Sequence, residues 1–331
     1  MALRAVQHVL VSGDRRVAVH RTATRAGWLA SAGIVDGDTE RTVVFCHSAP
    51  GAGIFDPDPE ETRAREVTLL AVDRPGYGGS DLMGGEEWAT VAAAADDIAA
   101  VLDRFKVRRV GVVGWSAGGR VALAFAARHP ELVDRVVVAA TPAPQEEVPW
   151  ISPENEQLLQ RMSSRGPRDV HAELSQLLAP LVPDDPFSDA ALAGFTTAPA
   201  DDDVIDAGET RARLGEMLRI AYIQGASGLA SDLAGYCLQP WGFDASDVEA
   251  NVLLLYGSRD PVAGPRHGRW WKERLPNSRL EVAPGAGHLL IVPLWHRVLS
   301  HVAPGRRVRM RNVTSLASGS AGFGVDEIPA A

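Results

Sequence analysis

The sequence predicts an α/β domain with a mostly parallel central sheet, helices on both faces and one helical insertion. Three observations carry that prediction. Short, almost continuously apolar runs recur at residues 42–46, 67–72, 109–113, 135–140 and 252–256, with a further strand at 279–282. Strands that run almost continuously apolar, rather than apolar at every second position, belong to sheets covered on both faces. Between them lie amphipathic helices: in 86–105, Val91, Ala95, Ile98, Leu102 and Phe105 recur at helical spacing and line one face. Finally, the alternation stops after Thr141 and resumes past Pro240; between these lie helical patterns at 153–162, 169–178 and 210–225, broken by Pro and Asp, with no buried strand.

Taken in order, residues 6–11 and 16–21 read as a hairpin turning around Gly13 and Asp14. Residues 26–40 are small and polar, a loop. A short helix is expected at 58–65, and a longer one at 119–129, which Pro130 stops. From about Pro293 a last helix places Trp295, Val298, Leu299 and Val302 on one face. The expected organisation is a core of residues 1–141 and 241–304, a helical cap or lid of 142–240, and a disordered tail of 305–331, which carries Arg306, Arg307, Arg309 and Arg311 before a Ser, Gly and Ala-rich end. Met217, Leu218, Ile220, Ala221 and Ile223 are candidates for the lid's inner wall or for its packing onto the core, whereas Asp184-Asp185 and Asp201-Asp202-Asp203 read as solvated loops.

Composition narrows the function class. The 331 residues are 46% apolar and 23% charged, as expected of a globular protein. A net charge of -9 argues against nucleic acid as a main partner. Cys46 and Cys237 are the only cysteines, so no disulfide framework exists, and no Cys/His spacing suits zinc. Charges at Asp14, Arg15 and Arg16 interrupt the N-terminal apolar run before it reaches signal-peptide length, and no segment is long enough to span a membrane. A cytoplasmic enzyme with no cofactor, no metal, no nucleic-acid or membrane partner and a small acyl substrate is the expectation; oligomeric state is open.

The chemistry centres on Gly114-Trp115-Ser116-Ala117-Gly118, a G-x-S-x-G sequence between a strand and a helix. Such a turn exposes the serine hydroxyl at the carboxyl edge of the sheet, and glycines around it let strand and helix approach closely. A serine needs a base in contact, and the base needs a group to orient it. Asp260, in Gly257-Ser258-Arg259-Asp260-Pro261, follows one apolar strand, and His288, in Pro284-Gly285-Ala286-Gly287-His288, follows the next. Their order is Ser, acid, His. His8, His20, His47, His129, His171, His267, His296 and His301 do not follow a strand in that order, and Asp244 or Asp247 would be the acid if Asp260 were not. Oxyanion donors are expected at the amide of Ala117 and in the loop after strand 42–46, His47-Ser48-Ala49-Pro50-Gly51-Ala52-Gly53, with Ala49 the candidate.

Together these motifs resemble the α/β-hydrolase superfamily, in its single-cap branch of esterase-like and peptidase-like members, over roughly residues 5–303. Asp73-Arg74-Pro75-Gly76-Tyr77-Gly78-Gly79-Ser80-Asp81 is similar to that family's D-x-P-G-x-G-x-S loop, which shapes the site's floor without catalysing. His47–Pro50 matches its His-Gly-x-Pro oxyanion loop, with Ser48 in place of glycine. Ser116 separates the chain from haloalkane dehalogenases and epoxide hydrolases, which carry aspartate there. Prolyl iminopeptidases resemble it in outline but place Trp after the nucleophile, where here Trp115 precedes it. The resemblance implies a serine hydrolase acting on a carboxylic ester or related acyl compound. Alternatives left open are amide or C–C hydrolysis, acyl transfer or peroxide chemistry with the same triad, or a non-catalytic binding protein of this fold.

Overall fold

A computed structural model describes residues 4–11, 14–22, 41–196 and 198–304. The expected loop at 26–40, the tail at 305–331 and Gly13 of the first turn lie outside the described residues. The N-terminal hairpin is β1 (Arg4–Leu10) and β2 (Arg16–Thr22). It is followed by β3 (Arg41–Cys46), β4 (Val67–Val72), β5 (Val110–Trp115), β6 (Val133–Ala139), β7 (Asn251–Gly257) and β8 (Ser278–Ala283). These form one 8-stranded sheet in the order β1-β2-β4-β3-β5-β6-β7-β8. The hairpin is antiparallel and pairs antiparallel with β4, while every pair from β4 to β8 is parallel. The order reverses at β3, which has β4 on one side and β5 on the other. Loops leaving β3 and β5 therefore diverge at the carboxyl edge and open a crevice there.

Why the strands read as continuous apolar runs is visible in the two halves of the core. Val44, Val112, Val136 and Val252 point to one face, against α2 (Val91–Arg104) and α3 (Gly118–Arg128). Their neighbours Val43, Val113, Val137 and Leu253 point to the other, against α11 (Trp295–Val302). The first of these helices starts later than its periodicity suggests: Thr90 accepts the Ala93 amide at 3.1 Å and caps it, leaving Glu86 in the preceding turn. α1 (Pro59–Ala64) is capped in the same way by Asp58.

Between β6 and β7 the chain makes α4 (Pro153–Met162), α5 (Pro167–Leu178), α6 (Asp189–Leu192), α7 (Pro199–Asp206), α8 (Thr210–Ala221) and α9 (Ser227–Leu238). Periodicity does not reveal α9, because small residues cover it on several sides. Gly235 lies so close to the chain that a Cβ would sit 1.9 Å from the Ala89 carbonyl oxygen, and one on Gly228 would sit 2.4 Å from the Tyr77 ring. Met217, Leu218 and Ala221 are buried in the same core cluster as Phe45 and Trp115, so they pack this excursion onto the sheet; Ile223 is exposed. α10 (Pro265–Arg274) covers β7 and β8. Among the described residues, no helix is long and apolar enough to cross a membrane.

Candidate active site

Ser116 occupies the turn between β5 and α3 with φ 55°, a left-handed conformation that a serine adopts only when its surroundings impose it. The surroundings are specific. Its amide donates to the Ala139 carbonyl at 2.9 Å, and its own carbonyl accepts from the Gly119 amide at 3.1 Å and from Thr141 Oγ1 at 2.9 Å. Around it the glycines are sterically required: a Cβ on Gly118 would lie 2.0 Å from the Cys46 carbonyl oxygen, and one on Gly119 would lie 1.9 Å from Thr141 Oγ1. Ser116 is half-buried, and Ala117 stands at the start of the helix.

Asp260 and His288 meet at the same carboxyl edge, from the loops after β7 and β8. His288 Nδ1 and Asp260 Oδ2 are 2.8 Å apart, and both residues are buried. The other carboxylate oxygen of Asp260 accepts the amides of Val262 at 2.9 Å and Ala263 at 3.0 Å. Burial alone would push this carboxyl up. The His288 hydrogen bond and charge, with the two amides, outweigh burial and leave it below the ordinary carboxylate value. The two loops touch because Gly257 lets the backbone of Ala286 and Gly287 pass within 2.5 Å of where its Cβ would be. Asp260 therefore holds one ring nitrogen of His288 and leaves Nε2 available.

The loop after β3 lies beside the elbow, since Gly118 packs against the carbonyls of Cys46 and His47. Arg74 orients it: Nη1 donates to the His47 carbonyl at 2.7 Å, and Nη2 to the Ser48 carbonyl at 2.8 Å. His47 Nδ1 donates to that same Ser48 carbonyl at 2.8 Å. In a trans peptide the amide points opposite to the carbonyl. Fixing the Ser48 carbonyl toward Arg74 thus turns the Ala49 N–H away from it. The non-glycine residues with positive φ among those described are Asp14, Glu66, Lys106, Ser116 and Ala140, so Ser48 fits in ordinary backbone; its hydroxyl donates to the Pro50 carbonyl at 2.8 Å.

Two supporting groups escape a sequence reading. Arg74 is a buried residue of the Asp73–Asp81 loop and is neutralised by a bidentate pair with Asp232 of α9, at 2.9 and 2.7 Å. Asp201, expected in a solvated loop, is instead 1% exposed at the start of α7, while Asp202 and Asp203 are exposed as expected. Asp201 Oδ2 accepts the His288 amide at 3.0 Å and the Ala198 amide at 3.1 Å, and Oδ1 accepts the Leu289 amide at 2.9 Å. A Cβ on Gly287 would lie 2.1 Å from that carboxylate. The local signal for this contact was weak: a carboxylate three residues after Ala198, behind Pro199, marks a helix start but not a partner at residue 288.

Four other histidines are engaged elsewhere. His20 pairs with Asp73 at 2.8 Å, His129 with Asp96 at 2.9 Å, His171 with the Ser227 carbonyl at 3.1 Å, and His267 accepts the Ala143 amide at 3.1 Å. Asp244 is exposed and caps the turn at Ser246.

This sheet, with a serine in the tight turn after β5 and an Asp–His pair at its carboxyl edge, has the architecture of the α/β-hydrolase fold. Residues 41–293 match the family described as the alpha/beta hydrolase fold. The chain belongs to that family and is an α/β-hydrolase enzyme. It is 31% identical over 225 residues to the pimeloyl-(acyl-carrier protein) methyl ester esterase of Neisseria meningitidis serogroup B, covering 66% of this chain and 75% of that relative. Among solved structures it resembles a hydrolase from Pseudomonas aeruginosa (TM-score 0.62, 20% identity, covering 89% of this chain and 97% of that one). It also resembles a thermophilic esterase from Thermogutta terrifontis (TM-score 0.61, 21% identity, covering 90% and 95%).

Proposed function

We propose that this enzyme cleaves a carboxylic ester, or a closely related small acyl compound, through a covalent acyl-enzyme. The observation that carries the reading is the 2.8 Å contact from Asp260 to His288, placed at the sheet edge that also presents Ser116. The esterase name of its relative supports the same class of reaction.

In this mechanism His288 Nε2 takes the Ser116 proton as Oγ attacks the carbonyl carbon, and Asp260 stabilises the imidazolium that forms. The amides of Ala117 and Ala49 donate to the oxyanion. Collapse of the tetrahedral species passes the proton from His288 to the departing alkoxide. A water molecule, deprotonated by the same nitrogen, then releases the acid and returns Ser116 to its hydroxyl form. The helices between β6 and β7 act as a lid, with α7 contributing Asp201 to the histidine loop. No step calls for a metal or cofactor.

Treatment with a fluorophosphonate followed by peptide mass spectrometry tests this directly. The expected adduct is on Ser116, one per chain, with loss of ester hydrolysis in proportion. Labelling elsewhere with Ser116 unmodified would contradict the assignment.

A further inference from the structure

A substantial cavity lies away from the triad. It has a volume of about 520 Å³ and lies where the chain leaves and re-enters the core, between the segment after β6, α4 and the end of α9. None of Ser116, Asp260 or His288 lines it. Its walls include Arg120, Trp150, Leu159, Tyr236, Trp241 and Phe243.

Three features of the wall await an acceptor. Arg120 is 2% exposed, yet its guanidinium meets only the carbonyls of Pro142 and Ala143, at 3.3 to 3.4 Å, and no carboxylate pairs with it among the described residues. Tyr236 is 7% exposed, and its hydroxyl has no hydrogen-bond partner among the described residues. Trp150 Nε1 is likewise buried and has no partner among those residues. Unmatched donors of this kind are costly to bury, a cation most of all. The neighbourhood compensates that charge only through the weak attraction of Glu146, which does not pair with it. Arg74 stands on Tyr236 as Arg120 does, at 5.9 and 5.8 Å, but Asp232 is committed to Arg74. Glu146 and Glu156 edge the cavity, both exposed, and Glu156 meets the Gln145 amide instead. Indole faces complete the enclosure, with Arg120 4.5 Å from the Trp241 ring centre and 5.2 Å from that of Trp150.

The geometry points to a second ligand site in this cavity, for an organic carboxylate with an apolar body. The carboxylate accepts from Arg120, Trp150 Nε1 and the Tyr236 hydroxyl, and the body lies against Leu159, Trp241 and Phe243. A volume of this size suits a small molecule rather than an ion. Arg120 is on the first turn of the helix that follows Ser116, and the Tyr236 ring centre lies 5.8 Å from Arg120 and 5.9 Å from Arg74, so an occupant reaches the supports of both proposed oxyanion donors without touching the triad.

Isothermal titration with 4-phenylbutyrate and its neutral counterpart 4-phenylbutanamide tests the site. Wild type is expected to bind the acid in the sub-millimolar to low-millimolar range, and the amide about tenfold more weakly. Trp150→Phe and Tyr236→Phe, which keep the ring and remove one donor, should each weaken the acid by about threefold to tenfold. Arg120→Gln should abolish acid binding if that variant folds; the two milder variants decide the matter if it does not. Ser116→Ala should bind as wild type does, which separates this site from capture of the acid in the active site. The proposal is overturned by no acid binding at about 10 mM, by equal binding of acid and amide, or by an affinity that Trp150→Phe and Tyr236→Phe leave unchanged while Ser116→Ala alters it.

Discussion

Replacing Asp201 by Asn probes how the helical excursion governs His288, the base of the proposed mechanism. The carboxylate accepts three backbone amides: His288 at 3.0 Å, Ala198 at 3.1 Å and Leu289 at 2.9 Å. Asparagine is nearly the same shape but presents one oxygen and one NH2 group. Whichever way it is turned, the NH2 group faces at least one N–H, and the bonds that survive lose their charge assistance. One lost charged hydrogen bond and one stranded amide together cost about 2–4 kcal/mol. For a chain of this size that lowers Tm by about 5 °C. Because two of the amides belong to His288 and its neighbour, the ring also moves relative to Ser116, and a displacement near 1 Å costs roughly a hundredfold in rate. A melting curve together with kcat and KM on a p-nitrophenyl ester reads both effects. The expected result is a lower Tm, a kcat down by about tenfold to a hundredfold and a KM nearly unchanged. A variant that loses stability but keeps wild-type kcat would refute the coupling to catalysis. One that keeps both would refute the brace itself.

Other expectations follow from the same geometry. Asp260→Asn should lower kcat by about 10³-fold to 10⁴-fold, because the buried ring loses the partner that sets its tautomer; activity near wild type would move the acid elsewhere. Gly118→Ala should destabilise the fold and disturb the loop proposed to bind the oxyanion, since the added carbon would lie 2.0 Å from the Cys46 carbonyl oxygen; an unchanged melting temperature with full activity would show that this approach is not tight. His47 is buried beside Arg74, and both burial and that charge lower its pKa to about 3. Its native form thus stays neutral while the unfolded chain takes up a proton below about 6.5. Stability is fully present above that value and is lost as pH falls toward 3, by at most about 5 kcal/mol from this group. The lowered carboxyl of Asp260 acts in the same direction, losing its contribution as pH falls through its folded value. Urea titrations of wild type and His47→Gln across this range should show a flatter dependence in the variant, and parallel curves would exclude His47 as a source.

Much of the fold could be read from local patterns because the decisive signals are local. The strands announce themselves by unbroken apolar runs, and the elbow by glycines placed where any side chain would collide with the Cys46 carbonyl or Thr141. Asp260 and His288 were legible because each directly follows a strand, so sheet order brings them together without any knowledge of side-chain contacts. What escaped depends on partners distant in sequence. α9 was hidden because its glycines serve close packing against Ala89 and Tyr77 rather than a turn. α10 was missed although Pro265 opens it, its adjacent Trp270 and Trp271 giving no simple stripe. Asp201 looked solvated within three consecutive aspartates, and only its contacts with residues 288 and 289 distinguish it from its exposed neighbours. Arg74 could be seen as part of a recognisable loop, but its grip on the carbonyls of His47 and Ser48 needed the third dimension.

The central claim is that Ser116 is the nucleophile of an ester hydrolase. Hydrolysis of p-nitrophenyl esters of increasing acyl length, compared between wild type and Ser116→Ala at matched folding, tests it most directly. Turnover by wild type that the variant lacks, with a preferred chain length, is the predicted result. Equal turnover by the folded variant would contradict it.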